Sequence, residues 1–469
     1  MTVDIWKLDA SDVAAGIRNG AFSSSEAVDS VLQRLDAVNP RLNAVVDVMA
    51  EQARQAAKRA DDARSAGSPL GPLHGVPVTT KVNTDTEGRA TTNGLPHLKD
   101  NIAAEDGSAV RAWRAAGAVI VGRTNTPSFS LRLQTNNDLH GLTRNPWNKD
   151  VTPGGTSGGA ASAIAAGIGA IGQGTDIAGS TRAPAYNCGI FGVRASLGRV
   201  GTYSPSVGDP TIVAQLFDVS GLMARSVRDL RLGLNAMALP DPRDPWQIPL
   251  PPVADQSSKP RRAAVWLSDF PLPLDPEVMD AMQRAAVWLE DAGYEVEDTH
   301  PEGAAEAWDM WAALIQGEKR DELLPAVDRY GDEEIKIWLA GCYELTPVLD
   351  LDLLQRLFVR RTALMREWHR FLADYPVLVM PTSQLRPAAI GSDATSTDAA
   401  RRAFVAMSPT KLTPVLNLPS VCAPTGPVNG LPTGVQIVTM PFDEATMFAA
   451  AEVIEARAPH VVPIDPAWT

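Results

Sequence analysis

Apolar residues recur at helical spacing over much of the chain, interrupted by short apolar runs of a different kind. Ser23 and Glu26 have the pattern of a capping box, and Val28, Val31, Leu32 and Leu35 follow at helical spacing, so a helix begins there. A second helical run, 50–66, is rich in Ala, Arg, Lys and Asp and ends at Gly67. Residues 76–80 form a short apolar run that leads into Lys81 and reads as a strand. Residues 108–117 read as a helix feeding a second strand at 118–122. Further on, 263–267 reads as a strand and 276–292 as an amphipathic helix stopped by Gly293. Helical patterns continue to about Leu372, and strands at 377–380 and 434–438 return the chain to sheet. This alternation favours an α/β architecture, and no internal repeat is visible.

Composition narrows the class without naming a chemistry. With 469 residues, 45% hydrophobic and 21% charged, the chain has ample material for a large core. A formal net charge of −13 argues against nucleic acid as a partner, because phosphate contacts need clustered Lys and Arg. Residues 1–10 include Asp4, Lys7 and Asp9 and lack the apolar core of a signal peptide. No uninterrupted apolar run reaches the roughly 18 residues of a membrane span, so no membrane partner is expected. Cys188, Cys342 and Cys422 lie far apart without a CxxC pair, which disfavours disulfides or zinc and fits a reducing cytoplasm. Seven prolines between Pro240 and Pro260 mark a boundary or long surface crossing, 240–262.

The segment 153–201 is dominated by Gly, Ala, Ser and Thr. Gly154-Gly155-Thr156-Ser157-Gly158-Gly159 is followed some twenty residues later by Gly174-Thr175-Asp176-Ile177-Ala178-Gly179-Ser180. Exposed backbone N–H groups in such loops suit a phosphate or a developing oxyanion. From composition alone, a close-packed core segment with turns is an equal alternative. Residues 160–169 read as a small-residue helix holding the two loops. Gly155 to Gly159 also fits G-x-S-x-G, which would make Ser157 a nucleophile, but the preceding residues 145–150 are a loop sequence where that elbow needs a strand. Gly167 to Gly172 fits G-x-G-x-x-G, but follows a helix pattern and has no acidic residue about 20 positions on. No phosphate-binding P-loop motif is present.

The two loops, continued by Thr181-Arg182-Ala183-Pro184-Ala185, resemble the defining stretch of the amidase signature family. Gly71-Pro72-Leu73-His74-Gly75-Val76-Pro77-Val78 with Lys81 is similar to the family's lysine strand. Residues 117–125, 221–225, 417–420 and 430–436 resemble further family segments, in family order over nearly the whole chain.

The resemblance implies a Ser–cis-Ser–Lys triad, with Ser180 as acylating nucleophile and Lys81 as base. The bridging hydroxyl would be Thr156, where the family has Ser, at the family spacing of 24 residues before Ser180. Thr keeps the hydroxyl that passes a proton but adds a β-methyl that restricts χ1. The resemblance also implies an oxyanion hole from the backbone N–H groups of Ile177, Ala178, Gly179 and Ser180, with Ser157, Asp176, Arg182, Gly154 and Gly155 in support. Serine needs an adjacent base, and lysine serves only when neutral, which burial beside Val76 and Val78 would favour. Asp176 and Arg182 are expected to brace the loops by a charge-assisted hydrogen bond. Val82 departs from many relatives, which have Asp after the lysine. His74 is expected to be structural, and no cofactor or metal is implied.

The implied fold is one amidase signature domain over 1–469. Its centre is a large mixed, mostly parallel sheet covered on both faces by helices. The catalytic core would span 68–235, and 263–375 would be a variable helical part shaping the pocket. There Trp308, Trp311 and Ile315 share a helical face with Trp338 near in sequence. Such aromatics are more often core, and if they line the pocket an apolar or aromatic acyl group follows. Residues 135–142 are a further pocket candidate. The implied activity is hydrolysis of small or medium neutral carboxamides through an acyl-enzyme, extending to anilides, hydrazides or carbamates. A homodimer is compatible with it. Alternatives are the A subunit of a glutamyl-tRNA amidotransferase and a non-catalytic relative.

Overall fold

Along a strand, successive side chains point to opposite faces, and here they divide between separate cores. Val265, Val377, Val379, Val421, Ala423, Val435 and Ile437 join one core. Their neighbours Ala264, Leu378, Met380 and Val438 join a second, and Val119 and Val121 a third. A sheet buried on both faces follows. The computed structural model describes residues 4–466 and 468; the first three residues of the N-terminal stretch considered above lie outside the described residues. Its eleven strands are β1 (Val45–Val48), β2 (Pro77–Lys81), β3 (Val119–Thr124), β4 (Ile171–Asp176), β5 (Phe191–Arg194), β6 (Val219–Ala224), β7 (Arg262–Val265), β8 (Glu295–Asp298), β9 (Val377–Pro381), β10 (Ser420–Val428) and β11 (Leu431–Val438). They form one sheet in the order β1-β3-β2-β4-β6-β5-β10-β11-β9-β7-β8.

Helices Ser108–Ala115, Val227–Met237, Pro276–Asp291 and Glu444–Arg457 cover the first face, through residues such as Trp113, Leu234, Met282 and Phe448. Helices Ser24–Leu42 and Ala50–Ser65 cover one end of the other face. Helices Glu333–Tyr343, Leu351–Asp374, Thr397–Ala406 and Ser408–Val415 cover the opposite end. The mixed α/β sheet with helices on both faces is as expected. Its strands are not mostly parallel, however. Only the pairings β2–β3, β2–β4, β7–β8 and β7–β9 are parallel, and the other six are antiparallel. The reason is local. β10 and β11 form a hairpin closed by Asn429 and Gly430, both at positive φ, and β6 runs antiparallel between β4 and β5.

The capping box is present: Ser23 N–H donates to Glu26 Oε2 at 2.6 Å, and Glu26 N–H to Ser23 Oγ at 3.0 Å. The proline-rich stretch 240–261 carries no helix or strand and joins helix Val227–Met237 to β7, with Val253 tucked into the first core. Ser157 directly precedes helix Gly158–Ala165 with no strand before it, so the elbow reading of that serine fails. The G-x-G-x-x-G segment runs out of that helix and into β4, the reverse of a dinucleotide-binding order. All three cysteines are buried and free. Among the described residues, no helix is long and apolar enough to cross a membrane.

Candidate active site

β2 and β4 are parallel neighbours, so their C-terminal residues, Lys81 and Asp176, emerge at the same end of the sheet. The loop before helix Gly158–Ala165 brings Thr156 to that end, and the turn after β4 brings Ser180. Lys81 is fully buried. Its Nζ donates to Thr156 Oγ1 at 2.6 Å and faces Thr175 Oγ1 at 3.4 Å. Burial lowers the lysine pKa to about 7, although the carboxylates of Asp218 and Asp176 pull the other way. The Gly155–Thr156 peptide is cis. Ser157 N–H donates to the Ser180 carbonyl at 3.2 Å, tying the two loops together. Ser180 is 8% exposed and Thr156 6%, against none for Lys81.

Asp176 organises the turn after β4. One carboxylate oxygen accepts from Gly179 N–H at 2.8 Å and Arg182 Nη2 at 2.7 Å. The other accepts from Thr181 N–H at 3.2 Å, Thr181 Oγ1 at 2.8 Å and Arg182 Nε at 3.0 Å. Burial disfavours its charge, but Arg182, then Arg194 and the bond from Gly179, outweigh that and hold the carboxyl at about 2. Both members of the Asp176–Arg182 pair are fully buried, so the expected brace is a buried one. Arg182 reaches on to Thr413 Oγ1 at 2.9 Å, the Thr410 carbonyl at 2.9 Å and Gln436 Oε1. Because Gly179 N–H is given to Asp176, the donors left to the loop are those of Ile177, Ala178 and Ser180. Gly179 has φ 107°, and a Cβ there would stand 2.5 Å from Thr410, so glycine is required twice over.

The three tryptophans meet at Phe404, with ring centroids 4.9 Å (Trp308), 5.8 Å (Trp311) and 6.1 Å (Trp338) away. Trp311 touches the loop itself, donating from Nε1 to the Ile177 carbonyl at 3.0 Å. Trp308 is half-buried on the same apolar cluster as Ile177 and Ala178, whereas Trp338 is buried core behind Phe404. The segment 135–142 contributes mainly bracing, as in the bond from Thr135 Oγ1 to the Gly154 carbonyl at 2.8 Å.

Several residues around these loops escape sequence reasoning. Phe129, Leu131 and Leu133 are half-buried on the cluster of Ile177 and Trp308, and a Cβ on Gly155 would stand 2.2 Å from the Arg132 carbonyl. Phe129 and Ser130 both have positive φ, for which their side chains give no signal. Arg132, fully buried, pairs with Asp393 at 2.6 Å and with Glu334, fastening this loop to helix Glu333–Tyr343. Asp218 flanks Val219, the partner of Asp176 in register, and burial raises its carboxyl to about 6 against the pull of Arg194. Val82 is core, so the polar surroundings of Lys81 come instead from Gln173, whose side chain accepts from Lys81 N–H at 3.1 Å, and from Thr175. His74 contacts the Ala60 carbonyl at 3.0 Å, a structural role.

The chain as a whole has counterparts among known proteins. The Amidase family model matches residues 26–448. An indoleacetamide hydrolase of Bradyrhizobium diazoefficiens is 40% identical over 97% of this chain and 87% of that protein. The A subunit of a glutamyl-tRNA(Gln) amidotransferase of Moorella thermoacetica is 32% identical over 97% of both. The solved structure of a 6-aminohexanoate cyclic dimer hydrolase superposes with a TM-score of 0.84 at 27% identity, covering 99% of each chain. The chain belongs to the amidase family, which its lysine strand and its two glycine-rich loops resemble.

Proposed function

We propose that this chain hydrolyses the C–N bond of small or medium carboxamides through an acyl-enzyme on Ser180, and that it prefers an aryl-bearing acyl group such as an arylacetyl. The observation that carries the mechanism is the 2.6 Å bond between the buried Lys81 Nζ and Thr156 Oγ1. Ser180 Oγ attacks the amide carbonyl while its proton passes through Thr156 to neutral Lys81. The N–H groups of Ile177, Ala178 and Ser180 hold the oxyanion. The proton then returns to the departing amine or ammonia, the C–N bond breaks, and water cleaves the acyl-serine ester by the reverse proton route.

The aryl preference rests on the half-buried apolar side chains that share a cluster with the nucleophile loop: Phe129, Leu131, Leu133, Trp308 and Ile315. Apolar surface of this kind gains by covering an aromatic group and gives nothing to the polar end of glutamine. The likeness to an indoleacetamide hydrolase supports the same class. Product release from a panel of arylacetamides, aliphatic amides, anilides, carbamates and glutamine, for wild type and Ser180→Ala, tests it. Arylacetamide turnover by the wild type alone is expected. Preference for glutamine would favour membership of an amidotransferase complex, and turnover surviving in Ser180→Ala would sink the mechanism.

A further inference from the structure

A lysine removed from water needs something to face its amine. Lys411, in helix Ser408–Val415, is 2% exposed and has no part in the reaction above. Among the described residues it makes no salt bridge. Its Nζ donates to the Phe404 carbonyl and lies 3.9, 4.6 and 5.4 Å from the ring centroids of Phe404, Trp308 and Trp311. Three aromatic faces stand where a carboxylate would otherwise be needed. Burial lowers its pKa to about 7, so this amine differs from an ordinary surface ammonium.

The ring and the helix that Lys411 joins are also the two clamps on the nucleophile loop. Trp311 Nε1 donates to the Ile177 carbonyl at 3.0 Å. Thr410, the residue before Lys411, places Oγ1 2.7 Å from the Ala178 carbonyl and 2.9 Å from the Met407 carbonyl, its one hydrogen serving the shorter contact, and packs against Gly179. A trans peptide is planar, with its C=O and the next N–H pointing opposite ways. Holding the Ala178 carbonyl from one side therefore presents Gly179 N–H to the other, where it meets Asp176 at 2.8 Å. Holding the Ile177 carbonyl in the same manner presents Ala178 N–H, which has no protein partner to take it up among the described residues.

We propose that Lys411 is a positioning residue: by seating Trp311 against the helix that carries Thr410, it fixes the Ile177–Ala178 peptide plane so that Ala178 N–H meets the oxyanion. This rests on the reading of Ser180 as nucleophile and of its loop as the oxyanion hole. The test compares Lys411→Met, which keeps the chain length and removes the amine, with Trp311→Phe, which keeps an aromatic ring beside Lys411 and removes the N–H together with part of the indole. Turnover of an arylacetamide and inhibition by the matching trifluoromethyl ketone, which becomes tetrahedral on the nucleophile, are measured for each. Loss of one well-placed donor typically costs about 100-fold or more, so a misaligned one is expected to lower kcat by about tenfold. KM should stay within about twofold, and ketone affinity should fall in step with kcat. The double variant should be no slower than the slower single one, because both act through one peptide plane.

A Lys411→Met enzyme that keeps wild-type kcat while losing only melting temperature would overturn the proposal, as would full multiplication of the two effects. If Lys411→Met does not fold, Trp311→Phe decides alone, and wild-type turnover there overturns it. Ser180→Ala runs alongside. Turnover surviving in that variant would overturn the reading beneath and this proposal with it, whereas failure of the lysine and tryptophan variants leaves that reading standing.

Discussion

Replacing Asp176 with Asn removes one negative charge and almost no volume, yet the structure assigns it a large cost. The carboxylate accepts five hydrogen bonds, two of them from Arg182, and both side chains are fully buried. Asn keeps one acceptor oxygen and leaves the guanidinium without its counter-charge, with Arg194 adding a second positive group nearby. Breaking one side of a buried pair costs about 3–5 kcal/mol. Unfolding entropy of about 2.1 cal/mol/K per residue over 469 residues gives about 1 kcal/mol per kelvin, so the melting temperature should fall by about 3–5 °C. Arg182→Met should cost a similar amount. The double variant Asp176→Asn/Arg182→Met should lose much less than the two single losses combined, because the Arg182 charge is gone and Arg194, the positive group that remains, still has Asp218 nearby. Its activity should stay low, since Gly179 and Thr181 lose their anchor in either case. Thermal melting of the four proteins at pH 7, with turnover measured in parallel, completes the cycle. Simple addition of the single losses would refute the assignment. The sign with pH is also set. The folded-state pKa is depressed to about 2, so the pair's contribution is complete above the unfolded carboxyl value of about 4 and is lost only as pH falls from about 4 through 2.

With Lys81 as the proposed neutral base and its pKa at about 7, kcat/KM should rise about tenfold per pH unit below 7 and level off above it. A flat profile from pH 5 to 9 would contradict that role. At position 156, Val keeps the β-branched shape without the hydroxyl, so Thr156→Val should lose at least about 100-fold in kcat with little change in melting temperature, while Thr156→Ser should retain or raise turnover. An unimpaired Val variant would remove Thr156 from the proton path.

That Lys81, Thr156 and Ser180 come together was legible because each sits in a motif whose residue order is unusual. The strand into Lys81, the helices 24–42 and 276–291 and the strand at β9 were legible because apolar spacing reports burial on one face or a short buried run. β4 was not: Ile171-Gly172-Gln173-Gly174-Thr175-Asp176 is a central strand in which glycines and buried polar side chains replace the apolar run. The resemblance implied a mostly parallel sheet, and the hairpin at Asn429-Gly430 together with β6 between β4 and β5 accounts for three of the six antiparallel pairings found instead. Helix Ser408–Val415 hides in the sequence because Pro409 and Pro414 read as breakers, so the roles of Thr410 and Lys411 emerge only in three dimensions. Phe129 and Leu133 join the apolar cluster of Ile177 and Ala178 through a loop that Arg132 fastens to distant Glu334 and Asp393, which no local pattern encodes.

The glycines around the two loops leave no slack. A single added carbon at Gly155 would run into the Arg132 carbonyl, at Gly159 into the backbone of Asn125, and at Gly179 into Thr410. A laboratory evolution campaign on this scaffold should therefore draw nearly all its productive changes from a different set of positions: Phe129, Leu131, Leu133, Trp308 and Ile315, whose side chains are only half-buried. The molecule thus separates inheritance from innovation. On the proposed reading of these side chains as the substrate-facing ones, new substrates are reached by exchanging them, while the chemistry beneath is passed on unedited.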